Sequence, residues 1–172
     1  VQKKLETAYE GLGVHVSAGL IRKGRIAEDL GWTCPYTGKN FDAIDLLHRR
    51  VDKDHIIPRS LRPSDSLDSL VITFGEVNQW KGQRTAARFV EEEQGKPVPG
   101  MENAFIKTFS AYTRDVEALE AFKGHEEDKR RKKNRKRLLL LRDYVEKEFT
   151  PGDLTRTSQL VRLGAQALQK LY

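Results

Sequence analysis

Asp54 and His55 stand side by side in the stretch VDKDHIIPRS, residues 51–60, directly before an apolar run, Ile56-Ile57-Pro58. A buried strand has little use for this pair at its end, whereas hydrolysis of a phosphodiester by one divalent metal has a definite use for it. A hard cation such as Mg²⁺ takes oxygen ligands, few of them from protein, and keeps positions for phosphate and water. A general base must also reach the attacking water, and an imidazole, with an ordinary pKa of roughly 6.5, suits that task near neutral pH. On an extended backbone adjacent side chains point to opposite faces, so one of the two can bind metal while the other works from elsewhere. The missing oxygen donor would come from a later helix. Asn78, with a neutral and hard amide oxygen, is the candidate, and Lys81, three residues on, shares its helix face and is available to a phosphate oxygen. By itself, Asp-His also suits an N-cap or a surface pair at a strand end, Asn78 a helix cap, and Lys81 an ordinary solvated lysine.

The elements that must position these groups can be read around them. LHRRVDKDHII, residues 47–57, ends in β-branched residues and reads as a strand; LRPSDSLDS is a polar loop containing Pro63. LVITF, residues 70–74, is a second strand, stopped by Gly75. EVNQWKGQRTAARFVEEE then has helical spacing, with Gly82 a weak interruption, and KPVPG at 96–100 breaks the chain. Phe105, Phe109, Tyr112, Val116 and Leu119 recur four, three, four and three apart, which predicts an amphipathic helix over 101–123. A further helix is expected through the basic run into Leu138, Leu141, Val145 and Phe149, ended by Pro151-Gly152. A last helix, capped by Asp153 or Thr155, follows. The fold class is α+β and mostly helical: a small two-stranded antiparallel sheet plus helix, surrounded by helices. The division expected is a lead-in linker with short helices over 1–30, a central domain over 31–149 and a linker over 150–172.

Composition bounds the function. The 172 residues are 33% charged, and no apolar run approaches the roughly 18 residues of a membrane helix. Cys34 is the one cysteine, which rules out an internal disulfide and a multi-cysteine zinc site. A cytoplasmic protein fits, with no membrane partner, and the absent initiator methionine suggests a fragment or processed product. The net charge is +6, but residues 129–137, KRRKKNRKR, carry eight positive charges, leaving −2 on the other 163 residues. That run is either a solvated helix face or a contact to a nucleic-acid backbone, and the remainder lacks the broad basic face of a protein that grips duplex DNA alone. Asp42, Asp45 and Asp52 could make a metal cluster but suit a soluble loop better. Cys34 reads as a small core residue, His15, His48 and His125 as surface or satisfied histidines, and Trp32 and Trp80 as packing anchors.

Strand, loop, strand, helix, with Asp-His on the first strand and Asn on the helix, resembles the HNH (ββα-metal) nuclease motif. Within it, CPYTGK at 34–39, DHIIPRS at 54–60, DSLDSLV at 65–71 and NQWKGQRT at 78–85 resemble the HNH domain of the RNA-guided CRISPR type II effector, in its compact subtype. LTRTSQLVRLGAQAL, residues 154–168, is similar to the segment leading back to that protein's RuvC-type domain. The resemblance implies that Asp54 and Asn78 hold Mg²⁺, with Mn²⁺ able to substitute. It implies that His55 deprotonates the attacking water and that Lys81 contacts a substrate phosphate. It further implies that the substrate is the target DNA strand in a heteroduplex with guide RNA, the guide being held through the parent protein, which also carries the RuvC-type domain. Departures are the lone Cys34 where some members have a zinc-binding set, Ser69 where an asparagine is frequent, and Glu76 where an aspartate sometimes stands. The other readings open are a free-standing HNH nuclease of the restriction or homing kind, and a non-catalytic basic nucleic-acid-binding module.

Overall fold

The computed structural model describes residues 1–119 and 135–141. Its centre is one antiparallel pair, β1 (Val51–His55) and β2 (Leu70–Phe74), in the register Val51↔Phe74 to His55↔Leu70. The run Leu70-Val71-Ile72 is apolar without alternation because both of its faces are covered. Phe74 leads straight into α4 (Gly75–Lys81), so strand, strand and helix form a single ββα unit. This mostly helical chain around one small sheet is the α+β fold expected.

Gly82 is more than a weak interruption. Its φ of +57° and ψ of −133° lie where a side chain is strained, and it caps α4. The helical pattern beyond Gly75 is therefore two helices, with α5 (Ala86–Glu93) started afresh by the Thr85 hydroxyl, which accepts from the Arg88 amide at 3.3 Å.

The expected lead-in over 1–30 holds two helices that contribute to the core. α1 (Gln2–Ala8) and α2 (Ala18–Asp29) send Leu5 and Ile26 into the same core as the sheet. α3 (Ala43–Leu47) is opened by a reciprocal capping box between Asp42 and Asp45, and Asp52 pairs with Lys23 at 2.8 Å. Asp42 and Asp45 thus start a helix and Asp52 lies on β1, not in a loop, and the three do not gather as metal ligands. CPYTGK folds as a tight knuckle: the Gly38 amide donates to the Cys34 carbonyl and the Cys34 amide to that of Lys39, both at 2.9 Å. Cys34 is buried, its Sγ 3.1 Å from Thr73 Oγ1 on β2.

The helix predicted over 101–123 is shorter, α6 (Phe109–Glu117), capped by the Thr108 hydroxyl. Upstream, Val98 and Ala104, and Lys96 and Ile106, join through backbone bonds, and Pro97 pairs with Phe105. That turn-back removes Phe105 from the helix and leaves it 55% exposed, although its spacing fits the amphipathic stripe.

Residues 135–141 are helical and lie against this body. Buried Lys136 pairs with Asp29 at 2.9 Å, Arg135 with Asp68 at 3.4 Å, and the Tyr112 hydroxyl donates to the Leu140 carbonyl at 2.8 Å. Two of the eight charges of the basic run thereby serve packing; residues 129–134, the expected helix beyond 141 and the last helix lie outside the described residues.

Gly82→Ala should cost about 1–3 kcal/mol of stability. Nothing crowds a Cβ there, the nearest atom being the Gln79 carbonyl oxygen at 4.0 Å, so the loss measures backbone strain alone. Urea unfolding followed by tryptophan fluorescence reads it, and an unchanged midpoint would contradict this account of the break.

Candidate active site

Alternation along β1 sends Asp54 to the face shared with Val71 and Thr73, which the CPYTGK knuckle covers. There Asp54 is only 4% exposed, yet each of its oxygens has a donor. The Tyr36 hydroxyl donates to Oδ2 at 2.6 Å, and Lys81 Nζ donates to Oδ1 at 3.0 Å. The same ammonium donates to the His55 carbonyl at 2.8 Å, so one lysine holds α4 to two consecutive residues of β1. Burial pushes the Asp54 carboxyl above its usual range, against the pull of Lys81 and Tyr36. Burial first, and then the Asp54 charge, push the Tyr36 hydroxyl well above its own, so Tyr36 remains a donor. Its ring stands edge-to-face on Phe89 at 5.6 Å and stacks on Tyr112 at 6.4 Å, which fixes where the hydroxyl points.

His55 ends β1 and points the other way, as adjacent strand residues do. Its Nε2 is 2.8 Å from Asp65 Oδ1, and its side chain is 25% exposed. Asp65 belongs to the loop between the strands, where Arg59 Nη2 lies 3.6 Å from its other carboxylate oxygen and Arg22 Nη2 donates to its backbone carbonyl. The His55 bond, the largest cause, holds the Asp65 carboxyl below its usual range, with Arg59 and Arg22 adding to it. Asn78, in the first turns of α4, directs its Nδ2 to the Lys53 carbonyl at 3.5 Å, which brings its amide to the strand that carries Asp54 and His55.

Lys81 and Asn78 thus tie α4 to residues 53–55 of β1, through Asp54 and the carbonyls of Lys53 and His55, while the His55 side chain lies on the opposite face from Asp54. Lys81, however, is 1% exposed, and both of its partners lie inward, so a phosphate could engage it only after it left Asp54. A divalent ion can be tested against the donors present. A carboxylate and a neutral amide oxygen are the ligand types a hard cation takes, and two protein ligands leave room for water and phosphate. Among the described residues no three His, Cys, Asp or Glu side chains gather as a zinc site would require. The fit is one of donor type: each Asp54 oxygen keeps a second lone pair beside its existing bond, while the Lys81 ammonium already supplies one positive charge.

Two participants went unassigned in the sequence. Tyr36 lies inside CPYTGK and Asp65 opens DSLDSLV, so both motifs were visible, but the contacts cross 18 and 10 residues of turning chain. Spacing within an element cannot show such contacts. Ser69, the departure from asparagine, has a defined place: its hydroxyl closes a ring with Ser64 and Ser66, at 3.0 and 2.8 Å. Glu76 is exposed in the first turn of α4.

Comparisons with known proteins bear on this same region. Residues 34–87, from the knuckle through the ββα unit, match the family model for HNH endonuclease. Over 167 residues, 92% of the chain, the sequence is 28% identical to CRISPR-associated endonuclease Cas9 1 of Streptococcus thermophilus. The chain spans 13% of that relative's length. The crystal structure of Streptococcus thermophilus Cas9 in complex with the AGAA PAM superposes with a TM-score of 0.59 at 25% identity, over 97% of this chain and 15% of that one. The Type II-C Cas9 enzyme from Actinomyces naeslundii shares the fold, with a TM-score of 0.56 at 19% identity over 83% of this chain and 13% of its own. The segment that matches the HNH endonuclease model thus carries the site, and the likeness to part of Cas9 runs along nearly the whole chain.

Removing one member of the buried pair should be costly. Lys81→Met leaves Asp54 enclosed without its cation and is expected to lose about 3–5 kcal/mol, whereas Lys81→Met with Asp54→Asn should lose clearly less than the two single changes together. A double-mutant cycle in urea checks this, and simple additivity would mean the two side chains act independently.

Proposed function

We propose that this HNH endonuclease segment is the strand-cutting domain of a larger RNA-guided protein, hydrolysing the DNA strand paired to a guide RNA with His55 as general base. The observation that carries the reading is the docking of α4 on residues 53–55 of β1, which sets the Asn78 amide on the strand that bears Asp54 and His55, inside the segment that matches the HNH family model. Asp54 and Asn78 would hold the ion, Mg²⁺ or in its place Mn²⁺. When bound, the ion supplies positive charge to the scissile phosphate and to the oxygen that leaves it.

His55 performs the proton transfer. With Nε2 engaged by Asp65, the lone pair on Nδ1 takes the proton of a water as that water's oxygen bonds to phosphorus. The bond from phosphorus to the 3′ oxygen breaks, the leaving oxygen takes a proton from a solvent water, His55 returns its own proton to solvent, and the ends are a 3′-hydroxyl and a 5′-phosphate. Lys81 acts in this reading through Asp54, whose carboxylate it orients and keeps charged inside the fold. The charge distribution agrees with a domain to which the substrate is brought: away from residues 129–137 the chain is slightly acidic, and base pairing with a guide, not a basic face, would select the strand.

Nicking of supercoiled plasmid in Mg²⁺ or Mn²⁺ tests the proposal, with EDTA and His55→Ala as controls. Cutting should vanish in EDTA and fall by about 10²–10⁴-fold in His55→Ala, with DNA binding nearly unchanged. Should the isolated chain not cut, the same comparison is made in the full-length protein with guide RNA and matched DNA. Cutting that survives His55→Ala, or its absence in that full assembly, would refute the reading.

A further inference from the structure

The loop that joins the two strands is built around Asp65. Ser64 and Ser66, its neighbours on either side, bond to each other through their hydroxyls at 2.9 Å, and both bond to Ser69 at the foot of β2. Ser64 and Ser69 are buried, so this ring of three hydroxyls closes the loop from within. The Ser69 carbonyl accepts from the Ile56 amide at 3.1 Å, which ties the ring to the residue following His55. Arg22, reaching across from α2, donates to the Asp65 carbonyl, and Arg59 stands beside its outer carboxylate oxygen. Backbone, flanking side chains and outer oxygen are all restrained, and the inner oxygen meets His55 Nε2 at 2.8 Å.

From this geometry we infer that Asp65 is the positioning residue for His55, setting the rotation of the imidazole and keeping its proton on Nε2 so that Nδ1 faces the reaction. This rests on the nuclease reading for what Nδ1 does, and on the Asp65 bond for where the ring sits. An ionised carboxylate only accepts, so Nε2 must donate to it, and a neutral imidazole then has its lone pair on Nδ1. The same bond opposes rotation of a side chain that is one-quarter exposed and would otherwise sample other rotamers. Asp65 itself, 47% exposed and on a loop, touches neither Asp54 nor the Lys81 pair in any bond described, so its removal leaves the buried cluster standing.

Two readouts test the inference. The first needs no catalysis: long-range ¹H–¹⁵N spectra of the histidine side chains at about pH 9, above the ordinary histidine range, report which nitrogen of a neutral ring carries the proton. The wild-type chain should show His55 protonated on Nε2. Asp65→Ala should give a mixture of both tautomers, while Asp65→Asn, whose amide oxygen still accepts, should keep the wild-type pattern. An unchanged His55 signal in Asp65→Ala would overturn the inference whether or not the protein cuts DNA. The second is the rate of nicking in the same assembly that shows wild-type cutting. Asp65→Ala should lower kcat by about 10–100-fold with KM unchanged, and Asp65→Asn should recover most of the loss. A rate that is unaltered or raised would instead mean that Asp65 restrains the ring away from use. Failure of the nuclease reading would appear separately, as wild-type protein that does not cut.

Discussion

A charged carboxylate and a charged ammonium, both withdrawn from water, fix the centre of this domain. Taking either ion into the interior alone would cost several kcal/mol, so each is tolerable only with the other in place. The Asp54–Lys81 pair joins the end of β1 to the last turn of α4, and Tyr36 closes the remaining side of the carboxylate from the knuckle. Three segments distant in sequence are thereby held to one point. Non-directional packing could hold them near one another, but only directional bonds to defined oxygens set their angles.

The two halves of the site differ in how they are held. Asp54 is locked by a buried network, whereas His55 lies at the surface under a loop organised by hydroxyls and guanidinium groups. In the proposed roles, a ligand-holding Asp54 would gain from a rigid, enclosed setting because its geometry must not relax between turnovers. A His55 base that exchanges protons with water would need access to solvent. The strand's two-residue period delivers both conditions to adjacent residues, one facing inward and the next outward.

Much of this was legible in the sequence, for identifiable reasons. Leu70-Val71-Ile72 is a continuous apolar run in a short β-branched stretch that ends at a glycine, and Asp54, His55 and Asn78 stand in a strand-to-helix order that short motifs mark. What escaped were contacts that depend on how loops return. The stripe from Phe105 to Leu119 has perfect helical spacing, yet Thr108 supplies a cap that starts the helix later, and bonds from Lys96 to Ile106 fold the earlier part into a turn. Spacing gives Lys81 its face of the helix, while the direction in which its long side chain extends, to Asp54 and the His55 carbonyl, is not in the spacing. Asp65 and Tyr36 belong to segments whose paths no periodicity determines.

The knuckle at 34–39 bears on a different matter. Its turn is closed by two backbone bonds and anchored by a single thiol lying against a threonine hydroxyl, where thiolates gripping zinc could have done the same work. A turn cross-linked by metal would make folding free energy a function of zinc concentration and of the protonation of its ligands. Here that corner is self-sufficient. The two backbone bonds that close it involve no titrating group, so its share of the folding free energy carries none of the pH dependence that deprotonating zinc ligands would impose.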